Sequence, residues 1–367
     1  MKQKITPSIK KKTKNKKNWF LIIILLILPI IFFILFWSNT DSYKLNNDEQ
    51  SEENKIKIPP LDKEDYDRRL NLLANIATTT TTISTTTIST STQLALWPVK
   101  TVYPNAGAIL PFKRVIAYYG NLLSTKMGVL GEYPEDEMIA KLNSEVEKWN
   151  IADPETPAIP ALHYIVTTAQ KRPGEEGKYR LRMPDKEIEK VLKIAEKINA
   201  IVFLDIQVGQ STLQEELPIL EKYLKMPQVH LAIDPEFSMK EGRLPGVYVG
   251  NYDATEINYA TDYLAKIVKE NNLTPKVFII HRYTQNMVTN YKLIKTVPEV
   301  QMVMNMDGWG AKDKKLASYT KYIYKEPVQF TGFKLFYKND LWAPSKAMMT
   351  PDEILKLTPK PIYIQYQ

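Results

Sequence analysis

Residues 230–239 read HLAIDPEFSM, an apolar run that stops abruptly at two carboxylates, Asp234 and Glu236, with Pro235 between them. Seven other runs share its form: VIAYYGN (115–121), AIPALHYIV (158–166), AIVFLDIQV (200–208), KVFIIHRY (276–283), VQMVMNMDG (300–308), FTGFKLFY (330–337) and PIYIQY (361–366). They are rich in Val, Ile, Phe and Tyr and nearly continuous, as strands buried on both faces are. Helical patterns lie between consecutive runs. PEDEMIAKLNSEVEKW opens with Pro134 and acids in its first turn. DATEINYATDYLAKIVKENN begins with Asp253 as N-cap and Glu256 three residues on, and TPDEILKL repeats that logic with Thr350, Pro351 and Glu353. Eight strands alternating with helices over roughly 250 residues predict an α/β domain of the (β/α)8, TIM-barrel-like class. A doubly wound sheet would carry a glycine-rich phosphate loop after its first strand, and YYGNLLSTKMG is not one.

Loop lengths agree with a barrel. Helix-to-strand links are short, whereas strand-to-helix links such as TTAQKRPGEEGKYRLRM, SMKEGRLPGVYVGNY and KNDLWAPSKAMM are long. Long loops are uncommon unless they serve a function, and these belong to the C-terminal face, where barrel active sites lie.

The remainder of the chain reads differently. Residues 1–18 carry eight lysines and no acid; without them, 41 bases face 41 acids. The basicity therefore belongs to a short tail, and no nucleic-acid partner is expected. WFLIIILLILPIIFFILFW, residues 19–37, has no charge and is bounded by Trp19 and Trp37. That length and those aromatic ends predict one uncleaved transmembrane helix embedded in the lipid bilayer. The lysines place its N-terminus in the cytoplasm, which sets the barrel domain outside, on a cell membrane. Residues 38–99 read as a linker, with a short amphipathic helix over 61–77 and a Thr/Ser-rich stalk over 78–92, before a barrel domain over 100–367. There is no cysteine, hence no disulfide.

The strand ends carry the chemistry. Side chains alternate along a strand, so Asp234 and Glu236 are expected to share a face, roughly 6–7 Å apart. Other runs end in Asp205 and Gln207, His281 and Tyr283, Asp307 followed by Trp309, Lys334, Tyr119 and Asn121, and Gln365. Crowded carboxylates cannot all stay ionised cheaply, so one pKa should rise, and a raised acid beside an ionised partner is what glycosidic cleavage requires. Glu236, Asp234, Asp205 and Asp307 are the candidate catalytic residues. Tyr119, Asn121, Gln207, His281, Tyr283, Trp309, Lys334 and Gln365 are the candidate substrate-binding residues. No cofactor and no metal ligand set is assigned, since no His-x-His or His-Glu-x-x-His pair is present. Two alternatives stand beside a glycoside hydrolase acting on envelope or extracellular glycan. One is an inactive barrel that binds glycan or protein; the other is a metal-dependent hydrolase using Asp205, Asp234, Glu236 and His281.

Together, IAYYGN, MGVLGEY, FLDIQVG, HLAIDPEF, MDGWG and KLFY resemble an uncharacterised family of exported bacterial proteins, some lipoprotein-like, with a glycoside-hydrolase-like TIM barrel. The resemblance covers about residues 113–367. It implies the barrel but carries no established activity. More distantly, Asp234-x-Glu236 is similar to chitinase-type glycosidases and cell-wall muramidases. The chitinase pattern implies Glu236 as proton donor and Asp234 as the group that positions a substrate acetamide. The chain departs from it at Ala232, where that pattern has an acid, and from the muramidases at Tyr118, Tyr119 and Asn121, where they have one on strand one.

Overall fold

The computed structural model describes residues 58–76, 95–174 and 176–367. The basic tail, the apolar segment 19–37 and the Thr/Ser tract 78–92 lie outside the described residues. Among the described residues, no helix is long and apolar enough to cross a membrane. Pro59–Gln367 forms one compact unit.

Eight parallel strands close into a barrel: β1 (Arg114–Gly120), β2 (Ala158–Ala169), β3 (Ile201–Ile206), β4 (Val229–Ile233), β5 (Lys276–Arg282), β6 (Val300–Met306), β7 (Phe330–Leu335) and β8 (Tyr363–Tyr366). Each pairs with its successor, and β1 pairs with both β2 and β8, which leaves the ring no edge. Every predicted run contributes one strand. The fold is therefore TIM-like.

One set of alternate residues on each strand faces inward. Val115 and Ala117, Ala161, Phe203, Ala232, Val277 and Ile279, Val303, Phe330 and Tyr363 make the lower interior. The opposite set, including Ile116, Leu162, Val202, Leu231, Phe278 and Met302, packs against the surrounding helices. Both faces are buried, which is why the runs lack polar alternation.

The helical ring is incomplete. Helices Glu135–Ala152, Asp185–Lys197, Leu213–Leu224 and Ala254–Glu270 fill the first four crossovers. Both expected capping boxes, at Asp253/Glu256 and Thr350/Glu353, form. Between β5 and β6, however, there is no α-helix, contrary to the expected alternation; the link holds only the short 3-10 turns Gln285–Met287 and Tyr291–Leu293. Arg282 substitutes for the missing helix. Its buried guanidinium donates to the carbonyls of Thr284, Gln285 and Val288 in that link, and to that of Tyr322 beyond β6. Backbone groups that a helix would satisfy internally are satisfied by one side chain instead.

The N-terminal end of the barrel is stoppered by the helix Lys63–Leu73, which starts at Asp62, whose carboxylate accepts from the Asp65 amide at 3.0 Å. It lies within the expected 61–77. Its Tyr66 and Leu73 belong to the interior cluster with Leu110, Phe203 and Tyr363. The Leu73 carbonyl accepts from the Lys360 amide at 2.7 Å. The interior would otherwise open to water at this end. Tyr66→Ala should therefore cost about 3–5 kcal/mol, the range for emptying a buried aromatic site, measured as a fall in the urea midpoint at constant slope.

Candidate functional site

A cleft of about 780 Å³ opens at the C-terminal face, where the long loops emerge. Tyr119, Gln207, Asp234, Glu236, Tyr283, Asp307, Trp309 and Lys334 all line it. Asp205, His281 and Gln365 do not reach it. Each lies two residues before a cleft-lining residue, namely Gln207, Tyr283 and Gln367. A two-residue step along a strand is about 6.6 Å, one interior layer of a barrel. These three therefore form the layer beneath the floor, all fully buried. Asn121 is also withdrawn: its amide donates to the Ile165 carbonyl at 2.9 Å and accepts from the Leu123 amide at 2.8 Å, fixing the turn after β1.

Asp234 and Glu236 meet in the cleft for a reason other than strand alternation. β4 ends at Ile233, and Pro235 opens the 3-10 turn Pro235–Phe237. Asp234 caps that turn, its Oδ1 accepting from the Glu236 amide at 3.1 Å. Proline has no amide hydrogen to continue the ladder and its ring favours the turn. The second carboxylate is thus delivered by a turn.

The electrostatics divide the acids. Asp307 is buried between two cations: Lys334 Nζ approaches Oδ1 at 2.8 Å as an ion pair, and His281 Nδ1 lies 3.1 Å from Oδ2. Burial disfavours its charge, but Lys334 and His281 outweigh burial and hold its pKa down at about 2. Burial likewise works against an imidazolium at His281, yet Asp307 and Asp205 raise its pKa. Asp234 and Glu236 lack such direct cationic partners. Burial pushes Asp234 well above the ordinary carboxylate range; His281 opposes the rise, and Glu236 and Asp205 reinforce it. Glu236 is raised by burial and then by the negative charge of Asp307, with the Tyr283 phenol against it. One acid is held firmly ionised beside two whose pKa values are raised.

Aromatic rings complete the cleft. Lys334 Nζ sits 3.8 Å above the Tyr119 ring, and Gln207 Nε2 contacts both the Tyr119 hydroxyl at 3.3 Å and Asp234 Oδ2 at 3.5 Å. At the rim, exposed Trp309 meets exposed Trp342 edge to face, ring centroids 4.9 Å apart. Trp342 escapes sequence reasoning, because nothing local shows which loop tips converge. His163 escapes it too. It reads as an ordinary strand histidine, yet its ring lies in the layer beneath the floor, with Nε2 3.5 Å from Asp205 Oδ2. Burial lowers its pKa to about 4, so it is neutral. The signal was its parity: Ala161, two residues earlier, faces the interior.

A buried pair anchors the cleft's far wall. Lys315, on the helix Lys312–Ser318, contacts Asp340 Oδ2 at 2.8 Å and donates to the carbonyls of Gly308 and Lys334. Asp340 in turn accepts from the amides of Gly310 and Phe336. This node joins the loops after β6 and β7 to the strand that carries Lys334.

No family model matches the chain, and no curated protein matches its sequence.

Lys315→Met should destabilise the fold by about 3–5 kcal/mol, because it strands a buried carboxylate. Pairing it with Asp340→Leu should recover part of that loss in the same denaturation assay.

Proposed function

We propose that the barrel is a glycoside hydrolase acting on cell-envelope or extracellular glycan. The observation that carries this reading is the division of the acids around one aromatic-walled cleft: Asp307 ionised by Lys334 and His281, Glu236 and Asp234 raised. Glycosidic cleavage uses such a pair, one carboxylic acid to give a proton and one carboxylate to meet positive charge. Glu236, protonated, gives its proton to the bridging oxygen as the bond from that oxygen to the anomeric carbon breaks. Asp307 faces the cationic character that develops on the sugar ring. Water supplies the incoming oxygen and gives its displaced proton to the Glu236 carboxylate, so one glycosidic bond and one water become two hydroxyls and the acid is restored. Asp234, protonated and fixed by the Glu236 amide, is the donor for a substrate carbonyl such as an acetamide. Tyr283 and Trp309, the latter packed edge to face with Trp342 at the rim, offer apolar faces for sugar rings. Asp205 falls outside this set because it lies beneath the floor.

The basic tail and the apolar segment 19–37 support a setting for this activity: a single-pass membrane anchor, N-terminus in the cytoplasm, holding the barrel outside on its Thr/Ser stalk.

The test uses the full chain in detergent with a panel of soluble oligosaccharides and peptidoglycan fragments. On the responsive glycan, Glu236→Gln and Asp307→Asn should each lower kcat by about 10²–10⁴-fold while binding survives. Unchanged turnover in either variant contradicts its role. Glycan binding by the wild type without product identifies an inactive binding barrel instead.

The pH profile follows from the two environments. Activity needs Asp307 ionised and Glu236 protonated. It should fall in acid as pH drops through about 2, where Asp307 protonates, and fall on the alkaline side as pH rises through a Glu236 pKa above the ordinary 4.5. Initial rates across pH with a stable substrate measure both limbs; an alkaline limb at or below 4.5 would remove Glu236 as the acid.

A further inference from the structure

Beneath the cleft floor, three fully buried side chains turn free polar atoms toward one another: His163 from β2, Asp205 from β3 and His281 from β5. His163 Nε2 lies 3.5 Å from Asp205 Oδ2, and His281 Nε2 lies 3.8 Å from the same oxygen. One donor atom from each residue falls within 4.8 Å of the others. Both Nε2 atoms and both Asp205 oxygens have no hydrogen-bond partner among the described residues. Buried polar atoms are normally paired, because an unpaired one forfeits its hydration without return.

The opposite ring nitrogens are engaged. His163 Nδ1 is 2.6 Å from the Tyr363 hydroxyl, and His281 Nδ1 is 3.1 Å from Asp307 Oδ2. An engaged Nδ1 with an inward, unengaged Nε2 is how proteins orient a histidine as a metal ligand. We infer that His163 Nε2, His281 Nε2 and the Asp205 carboxylate form a site for one divalent first-row transition ion of the Zn²⁺ or Co²⁺ class.

Two imidazoles and one carboxylate suit such an ion, whereas Ca²⁺ and Mg²⁺ take mainly oxygen donors. Ligand atoms held about 2.1 Å from an ion stand roughly 3.0–3.5 Å apart; the two spacings to Asp205, 3.5 and 3.8 Å, lie at or a few tenths of an ångström beyond that range, and the two imidazoles lie within 4.8 Å of each other. The ion takes the place of any proton on His281 Nε2 and carries that positive charge in its stead, while each Nδ1 faces a group able to accept its proton, the Tyr363 oxygen and the Asp307 carboxylate. Tyr119 packs against both imidazoles, ring centroids 5.2 and 6.0 Å away, and also lines the cleft. It is the layer between the ion and the substrate space. The ligands come from three strands, so no short histidine spacing announces them. Asp234 and Glu236 take no part, and the inference does not rest on the glycan reading.

The untagged full chain is stripped with a chelator, dialysed against micromolar free Zn²⁺, and its metal content measured; Co²⁺ is added in parallel and its visible spectrum recorded. One Zn²⁺ per chain and ligand-field bands of low-coordinate Co²⁺ are expected. Asp205→Asn and His163→Gln should lose binding by more than about tenfold. Tyr363→Phe, which keeps all three ligands but removes the Nδ1 partner of His163, should weaken it by about 10–100-fold. Less than a tenth of an equivalent on the wild type, or equal retention in folded Asp205→Asn, overturns the site. The wild-type result decides alone if a variant fails to fold.

Discussion

The Asp307 carboxylate, clasped by Lys334 on one side and His281 on the other, sets the state of everything in the cleft. A charge in a barrel interior loses its hydration and survives only with compensation. Closure of the ring supplies it. β5 and β7 flank β6, with His281 opposite Asn305 and Gly332 opposite Asn305, so the histidine and the lysine arrive on either side of Asp307. Both cations approach that one acid most closely. Asp234 and Glu236 share the same space without equivalent partners, and their protonated forms gain. Burial and an unequal distribution of positive charge thus set the carboxyl groups apart.

That clasp also links the cleft to the layer below. His281 meets Asp307 through Nδ1 and faces Asp205 through Nε2, so one imidazole joins the two levels. Tyr119 covers the lower level and carries Lys334 on its ring. The floor is a stack of mutually dependent groups, which makes its polar residues sensitive to any shift in strand register.

Much of this architecture was written in the local pattern. Each buried strand announced itself because both of its faces are apolar, and the helix starts at Asp253 and Thr350 were plain from their caps. Three features were not, for physical reasons. The β5–β6 link has 3-10 turns in place of a helix, three of its carbonyls bound by the Arg282 side chain, a solution with no periodicity. Asp234 and Glu236 were grouped correctly but by the wrong geometry, since Pro235 converts the strand end to a turn. Depth was invisible. Gln207 and Asp205 differ by one interior layer, which depends on strand tilt and register rather than residue type. His163, Trp342 and the Lys315–Asp340 pair became meaningful only when distant segments were seen side by side.

The unequal charging of the acids can be read directly by carboxyl-carbon NMR on the chain labelled at Asp and Glu, titrated across acid pH. Asp307 should hold its ionised shift until pH approaches about 2, while Glu236 titrates above the ordinary glutamate value of 4.5. If the two carbons titrate together in the ordinary carboxylate range, the clasp does not govern the cleft.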